Sequence, residues 1–160
     1  MSEIFRVTFF GHRNFCQSDK YEEQVQKLLR EIVSTHEYVE FLVGNNGGFD
    51  SFISGQIRKM KKDFSAKNYS HILVLPYINN SASNSEYDFE RLYDETEVSN
   101  RTIGVYSKYA IPERNKDMIE RCDLAIFYVV AHFGGAYKAY IHALKKEKII
   151  INLAEVTNGL

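Results

Sequence analysis

Three glycine-bearing stretches hold the residues whose types and spacing suit chemistry, and the chemistry they suit is the binding of phosphate. The first is Gly134-Gly135-Ala136, which follows the apolar run Leu124 to Val130 and opens a helical stretch. A buried strand followed at once by glycines and a helix start makes a cradle for an anion. Exposed backbone N–H groups and the positive end of the helix dipole face it, and glycine permits close approach. The second is Gly11-His12-Arg13, at the end of the run Ile4 to Phe10. There Arg13 suits a bidentate fork onto phosphate, and His12 suits hydrogen-bond donation or proton transfer. Taken alone, this turn fits a glycine bend with two solvated side chains slightly better, but its place at a strand end favours a ligand. The third is Gly44-Asn45-Asn46-Gly47-Gly48-Phe49-Asp50. It suits a turn through left-handed positions with Asp50 as helix N-cap. It also suits a second backbone cradle in which Asp50 meets a ribose hydroxyl or a base edge, and a capping carboxylate can do both.

Charged residues elsewhere divide into ligand candidates and bystanders. Arg114 falls in the first turn of a helix expected from about Pro112, where a cation opposes the dipole, so a ligand role is favoured there. Asn115 beside it suits phosphate or ribose, whereas Asp123 suits a cap or a turn. Tyr93-Asp94-Glu95-Thr96 puts two carboxylates in a stretch that resembles a lid, so the candidate acids or bases are Asp50, Asp94 and Glu95. A solvated loop is an equally good account of the same four residues. His71, His132 and His142 lack metal-ligand spacing, and neither a metal nor a cofactor is called for.

The elements that must position these residues alternate along the chain. Ile4 to Phe10, Tyr38 to Val43, His71 to Leu75, Leu124 to Val130 and Lys148 to Leu153 have strand character. Helical spacing joins Val25, Leu28, Leu29, Ile32 and Val33 after a cap at Ser18 or Asp19, and then Phe52, Ile53, Ile57 and Met60. Further helices are expected from about Pro112 and from Gly135 to Lys146. Residues 76–111, with the polar run Asn79 to Ser85, interrupt the alternation as a lid-like insertion in one domain spanning 1–160. Strand–helix alternation implies an α/β fold: a doubly wound, mostly parallel sheet with helices on both faces. The loops after Phe10, Val43, Leu75 and Val130 then converge on one crevice at the strand C-termini.

The bulk properties set limits on this picture. A formal net charge of -1 argues against nucleic acid held through a broad electrostatic footprint, yet leaves room for a local basic pocket. Cys16 and Cys122 show neither a disulfide framework nor metal spacing, the N-terminus lacks a leader pattern, and no apolar stretch approaches the ~20 residues that span a bilayer. A cytoplasmic protein with no membrane partner is expected. Tyr137, Tyr140, Ile141 and Leu144 spread apolar surface over more than one face of their helix, so a homodimer or higher self-assembly is expected too.

The ordered set of motifs has a counterpart in one family. Phe9-Phe10-Gly11-His12-Arg13, the Gly44 to Asp50 stretch, Tyr93 to Thr96, Ala110 to Met118, Gly134 to Lys138 and the closing Ile150-Ile151-Asn152-Leu153 resemble the SLOG superfamily, the SMF/DprA and LOG relatives, in its YpsA-like branch of bacteria and phages. The likeness spans nearly the whole chain. It implies a Rossmann-like fold that binds nucleotides or nucleotide-derived ligands, although the Gly-x-Gly-x-x-Gly dinucleotide fingerprint is absent. It also implies that Arg114 matches the catalytic arginine of the LOG enzymes, which split the N-glycosidic bond of a nucleotide. Gly134-Gly135 match that group's paired glycines, but Ile141 stands where its catalytic glutamate belongs. The expectation is therefore a sensor or sponge for a small phosphorylated ligand, ADP-ribose-like or a cyclic signalling nucleotide. The alternative is a hydrolase or transferase acting on the N-glycosidic bond of a nucleotide, with LOG-like phosphoribohydrolase chemistry through a substitute carboxylate. The expected ligand-binding set is Gly11, His12, Arg13, Gly44, Asn45, Asn46, Gly47, Asp50, Arg114, Asn115, Gly134, Gly135 and Ala136.

Overall fold

In the computed structural model, residues 3–77, 89 and 91–158 are described, the side chains of 156–158 excepted. Six strands form one sheet: β1 (Ile4–Gly11), β2 (Tyr38–Val43), β3 (Tyr69–Leu75), β4 (Glu95–Val98), β5 (Leu124–Tyr128) and β6 (Ile149–Asn152). Their order is β4-β3-β2-β1-β5-β6, and every neighbouring pair is parallel. The helices are α1 (Asp19–Thr35), α2 (Gly48–Asp63), α3 (Ser107–Arg121), α4 (Gly135–Lys145) and α5 (Leu153–Asn158), with a 3-10 turn at Asn100–Thr102.

Strand alternation sends successive side chains to opposite faces, and here both faces are covered. Val7, Phe9, Val39, Phe41, Leu73 and Ile126 pack on one side with Val25 and Leu29 of α1 and Ile53 and Ile57 of α2. Phe10, Leu42, Ile72 and Phe127 pack on the other with Met118 and Ile119 of α3 and Ala139 and Ala143 of α4. The expected α/β class is thus found as an all-parallel Rossmann-like sheet. Local signals behave as anticipated at α1, where Ser18 is the N-cap and its hydroxyl accepts the Tyr21 N–H at 3.4 Å.

The stretch 76–111 differs from the anticipated insertion. Its second half supplies β4 and the 3-10 turn, and α3 begins at Ser107 rather than near Pro112. Pro112 therefore sits inside the helix, where it lacks the N–H that would reach back one turn. Charged Glu95 and Glu97 in β4 mask the strand from a sequence pattern and suit an edge, since β4 ends the sheet. Residues 78–88 and 90, including the polar run Asn79 to Ser85, lie outside the described residues.

Candidate functional site

The chain winds outward from β1 to β2, β3 and β4, then returns to place β5 on the other side of β1. The loops that leave the C-terminal ends of β1 and β5 consequently diverge at the switch point, the place where open parallel sheets bind ligands. His12 joins these two loops. Its Nε2 accepts the backbone N–H of Val130 at 2.9 Å and that of Ala131 at 3.2 Å. One ring nitrogen facing two donors must be bare, so the imidazole is neutral with its proton on Nδ1. The expected role for His12, donating to a ligand, is thus not available to Nε2 in this arrangement.

Gly134 and Gly135 follow within the same loop. Gly134 has φ 92, which favours glycine, and it precedes α4 with no side chain capping the helix. Both glycines are exposed, and a Cβ at either would meet nothing within 4 Å. Space for an anion stands open above this helix start, while Ala136 packs inward on the core. Arg13, next to His12, is exposed, and its guanidinium makes no hydrogen bond or ion pair among the described residues.

The β2–α2 loop does something different from the second cradle expected of it. A Cβ at Gly11 would lie 2.3 Å from the Phe49 ring, so the glycine is needed for α2 to start against the end of β1. Gly47 has φ 147, and the Gly48 N–H donates to the Arg13 carbonyl at 2.8 Å. Gly47 caps α2 and Asp50 is the helix's third residue, which corrects the expected N-cap. From there the Asp50 carboxylate accepts the Asn46 N–H at 2.8 Å. The loop's donors at Gly48 and Asn46 are spent inside the protein and cannot cradle phosphate. Asn45 is exposed at the tip.

Burial pushes the Asp50 carboxyl above the usual carboxylate range, against the opposing pull of the Asn46 N–H and of Arg114 and Arg13. Arg114 itself is 3% exposed. Its guanidinium donates through Nε to Asn115 Oδ1 at 3.0 Å, through Nη1 to the Val74 carbonyl at 3.0 Å and through Nη2 to Asn46 Oδ1 at 2.9 Å. Gly44 lies between the two charges, for a Cβ there would sit 3.1 Å from both Arg114 Nη1 and Asp50 Oδ2. Arg114 therefore clamps the ends of β2 and β3 to α3. It is not in the first turn, because α3 begins seven residues earlier at Ser107, so the dipole argument for a ligand role does not apply. Asn115, also buried, serves this clamp.

Asp94 and Glu95 do not reach the crevice edge. They stand at the start of β4, where Glu95 pairs with Ile72, whereas the edge lies beyond Val98, about 10 Å of strand away. The Asp94 carboxylate accepts the His71 N–H at 2.8 Å and pairs with Lys61. Burial alone would raise its pKa, but Lys61 and the His71 N–H outweigh that and hold it below the ordinary value. Of the three candidate acids, only Asp50 stands at a strand C-terminus.

Two features escaped the sequence. Asn152 Oδ1 accepts the Val129 N–H at 3.1 Å and its Nδ2 donates to the Val129 carbonyl at 3.0 Å, fixing the chain where β5 ends. A lone amide closing an isoleucine run is the only sequence signal of that role. Phe133, 76% exposed beside Gly134, and Val130, 63% exposed, are apolar side chains facing solvent on the loop between β5 and α4. Among the described residues no His, Cys, Asp or Glu cluster could hold a metal, and no helix is long and apolar enough to cross a membrane.

No family model matches the chain, and no curated protein matches it in sequence. Solved structures do share its fold. DNA processing protein A (DprA) from Streptococcus pneumoniae superposes with a TM-score of 0.60 at 12% identity, covering 92% of this chain and 49% of that one. DprA from Helicobacter pylori, whose structure is described for its single-stranded DNA binding mode, gives a TM-score of 0.59 at 16% identity, covering 91% of this chain and 63% of that one. This chain thus spans about half to under two thirds of their lengths. The argument from net charge against nucleic acid is corrected by the second structure, since this fold occurs in a protein that binds single-stranded DNA. The charge at one groove, rather than the sum over the chain, governs such binding. The resemblance to the SMF/DprA relatives is borne out in the architecture, without support for the YpsA-like branch, and the chain has the fold of the DprA structures.

Proposed function

We propose that this protein binds a phosphate-bearing nucleotide unit in the crevice between the loops that leave β1 and β5. The carrying observation is the uncapped, open helix start at Gly134-Gly135, tied through His12 to the loop that bears the unpaired Arg13. Backbone N–H groups and the α4 dipole take the phosphate, and Arg13 adds a charge-assisted hydrogen bond. Phe133, exposed beside the glycines, offers a ring on which a base can stack.

The favoured ligand is a free nucleotide derivative, ADP-ribose-like or cyclic, held by a sensor or sponge. Single-stranded nucleic acid is the second reading, favoured by the DNA-binding mode described for the H. pylori protein of the same fold. N-glycosidic hydrolysis has less support, because Ile141 offers no carboxylate and Asp94 and Glu95 stand at the far end of β4. Asp50 remains its one candidate acid.

Calorimetric titration with ADP-ribose, a cyclic dinucleotide and oligothymidylate tests the proposal, each with wild type and Arg13→Ala. Saturable binding of one of them, weakened about tenfold or more by the substitution, is expected for loss of a charge-assisted bond. Absence of binding by all three sinks the nucleotide reading. Oligothymidylate binding alone selects nucleic acid.

A further inference from the structure

We propose that His12 is a positioning residue for this crevice, a latch that holds the Gly134-Gly135 loop in place only while its imidazole is neutral. The inference rests on the nucleotide reading and goes beyond it by giving the site a pH-dependent gate. Its basis is geometric. The N–H groups of two successive residues, Val130 and Ala131, converge on the single Nε2 of His12. They belong to the first residues after β5, so their orientation sets the path of the chain into Gly134 and α4. These hydrogen bonds are the described link between the β1 loop bearing Arg13 and the β5 loop bearing the phosphate cradle.

A second proton on the ring reverses the arrangement. Nε2 then becomes a donor facing two donors, and both hydrogen bonds are lost together. The latch is closed while the ring carries one proton and opens when it takes up a second. Of the nearby titratable groups, the buried Asp50 of α2 takes up its proton above the ordinary carboxylate range and feels the charge of Arg13, so Asp50→Asn is one control. Tyr128 of β5 meets the His12 ring edge-on, with centroids 6.2 Å apart. Its hydroxyl is pushed up to about 12, chiefly by the hydrogen bond with Tyr21 and then by burial, so it stays neutral while a histidine titrates. On the His12 loop the neighbours are Arg13, which stays charged, and the exposed thiol of Cys16. On the β5–α4 loop the titratable group is His132, stacked on Tyr137. His132→Gln is therefore a second control.

The test combines nitrogen-detected NMR of the full chain with binding of ADP-ribose and oligothymidylate as probes. At neutral pH the expected spectrum shows His12 with bare Nε2 and protonated Nδ1. On acidification the Val130 and Ala131 amide signals move in the same step as the His12 ring, and the probe that binds loses about tenfold or more in affinity across that step. His12→Phe gives weak, pH-independent binding, and His12→Gln, which keeps an acceptor, restores part of the affinity without the pH step. A proton on Nε2 at neutral pH overturns the proposal. So does affinity that rises as His12 protonates, which would make the ring a direct donor to the ligand. Binding that is intact while the two amides ignore the titration overturns the latch and leaves the nucleotide reading standing. If neither probe binds although the amides follow the ring, the nucleotide reading fails and the positioning role falls with it.

Discussion

Arg114 Nη2 donates to Asn46 Oδ1 across 2.9 Å, joining the middle of α3 to the loop between β2 and α2. Because the same guanidinium also holds the Val74 carbonyl and Asn115, a residue with the look of a phosphate ligand is committed to three acceptors inside the protein. A buried cation released from such partners is costly, as is each acceptor left without a donor. The exposed arginine of the β1 loop, Arg13, is the one whose guanidinium remains available to a ligand.

Substituting these two arginines separates the roles. Arg114→Ala should lower unfolding free energy by about 3 kcal/mol, since it leaves the Val74 and Asn46 oxygens and the Asp50 charge uncompensated. Arg13→Ala should change stability by under about 0.5 kcal/mol, as expected for an exposed side chain that forms no hydrogen bond or ion pair among the described residues. Urea denaturation of both variants checks this; equal effects would contradict the division.

Placing a carboxylate where the ligand phosphate is expected offers a second check. Gly135→Asp has room, as nothing lies within 4 Å of the added Cβ. It should stabilise α4 by about 0.5 kcal/mol through the dipole and abolish nucleotide binding by competing for the same N–H groups. Thermal denaturation and titration of one sample read both effects. Undiminished affinity would move the phosphate elsewhere.

The contact of Gly11 with Phe49 predicts a strong steric effect. Gly11→Ala should destabilise the protein by about 2 kcal/mol, because the methyl carbon would lie 2.3 Å from Cγ of Phe49, which is fully buried. Adding Phe49→Leu should return part of that loss, so a double-mutant cycle should show coupling of about 1 kcal/mol. Strict additivity of the two would mean the clash is relieved by backbone movement.

His71 predicts an acid limb in stability. Burial holds its imidazole down to about 3, with Nε2 3.0 Å from the Ser54 hydroxyl. An unfolded chain takes up that proton near its ordinary value of about 6.5 while the native state does not, so the unfolded form binds more protons between about pH 6.5 and about pH 3. Stability should therefore fall with pH across that window, with His71 contributing up to about 1.4 kcal/mol per pH unit. Denaturation of His71→Asn alongside wild type isolates the term; parallel curves would refute it.

Hydrophobic periodicity was enough to place β1, β2, β5 and α1, since strands buried on both faces and helices with one apolar stripe carry their environment in their composition. Glycines likewise marked the turns that follow β1, β2 and β5, where the chain passes from a buried strand toward a helix. Pattern failed where the decisive partner is distant in sequence. β4 is a charged edge strand, recognisable only once β3 offers it a ladder. Pro112 suggested a helix start, but packing of α3 carries the helix through it. The glycines at 11 and 47 answer to Phe49 and Arg13, contacts made by neither phosphate nor local turn alone. Above all, arginine type and position could not distinguish a clamp from a ligand-binding residue. That depended on whether folding presented acceptors to the guanidinium. It presented them to Arg114 through β3 and the loop that follows β2, and left Arg13 facing solvent.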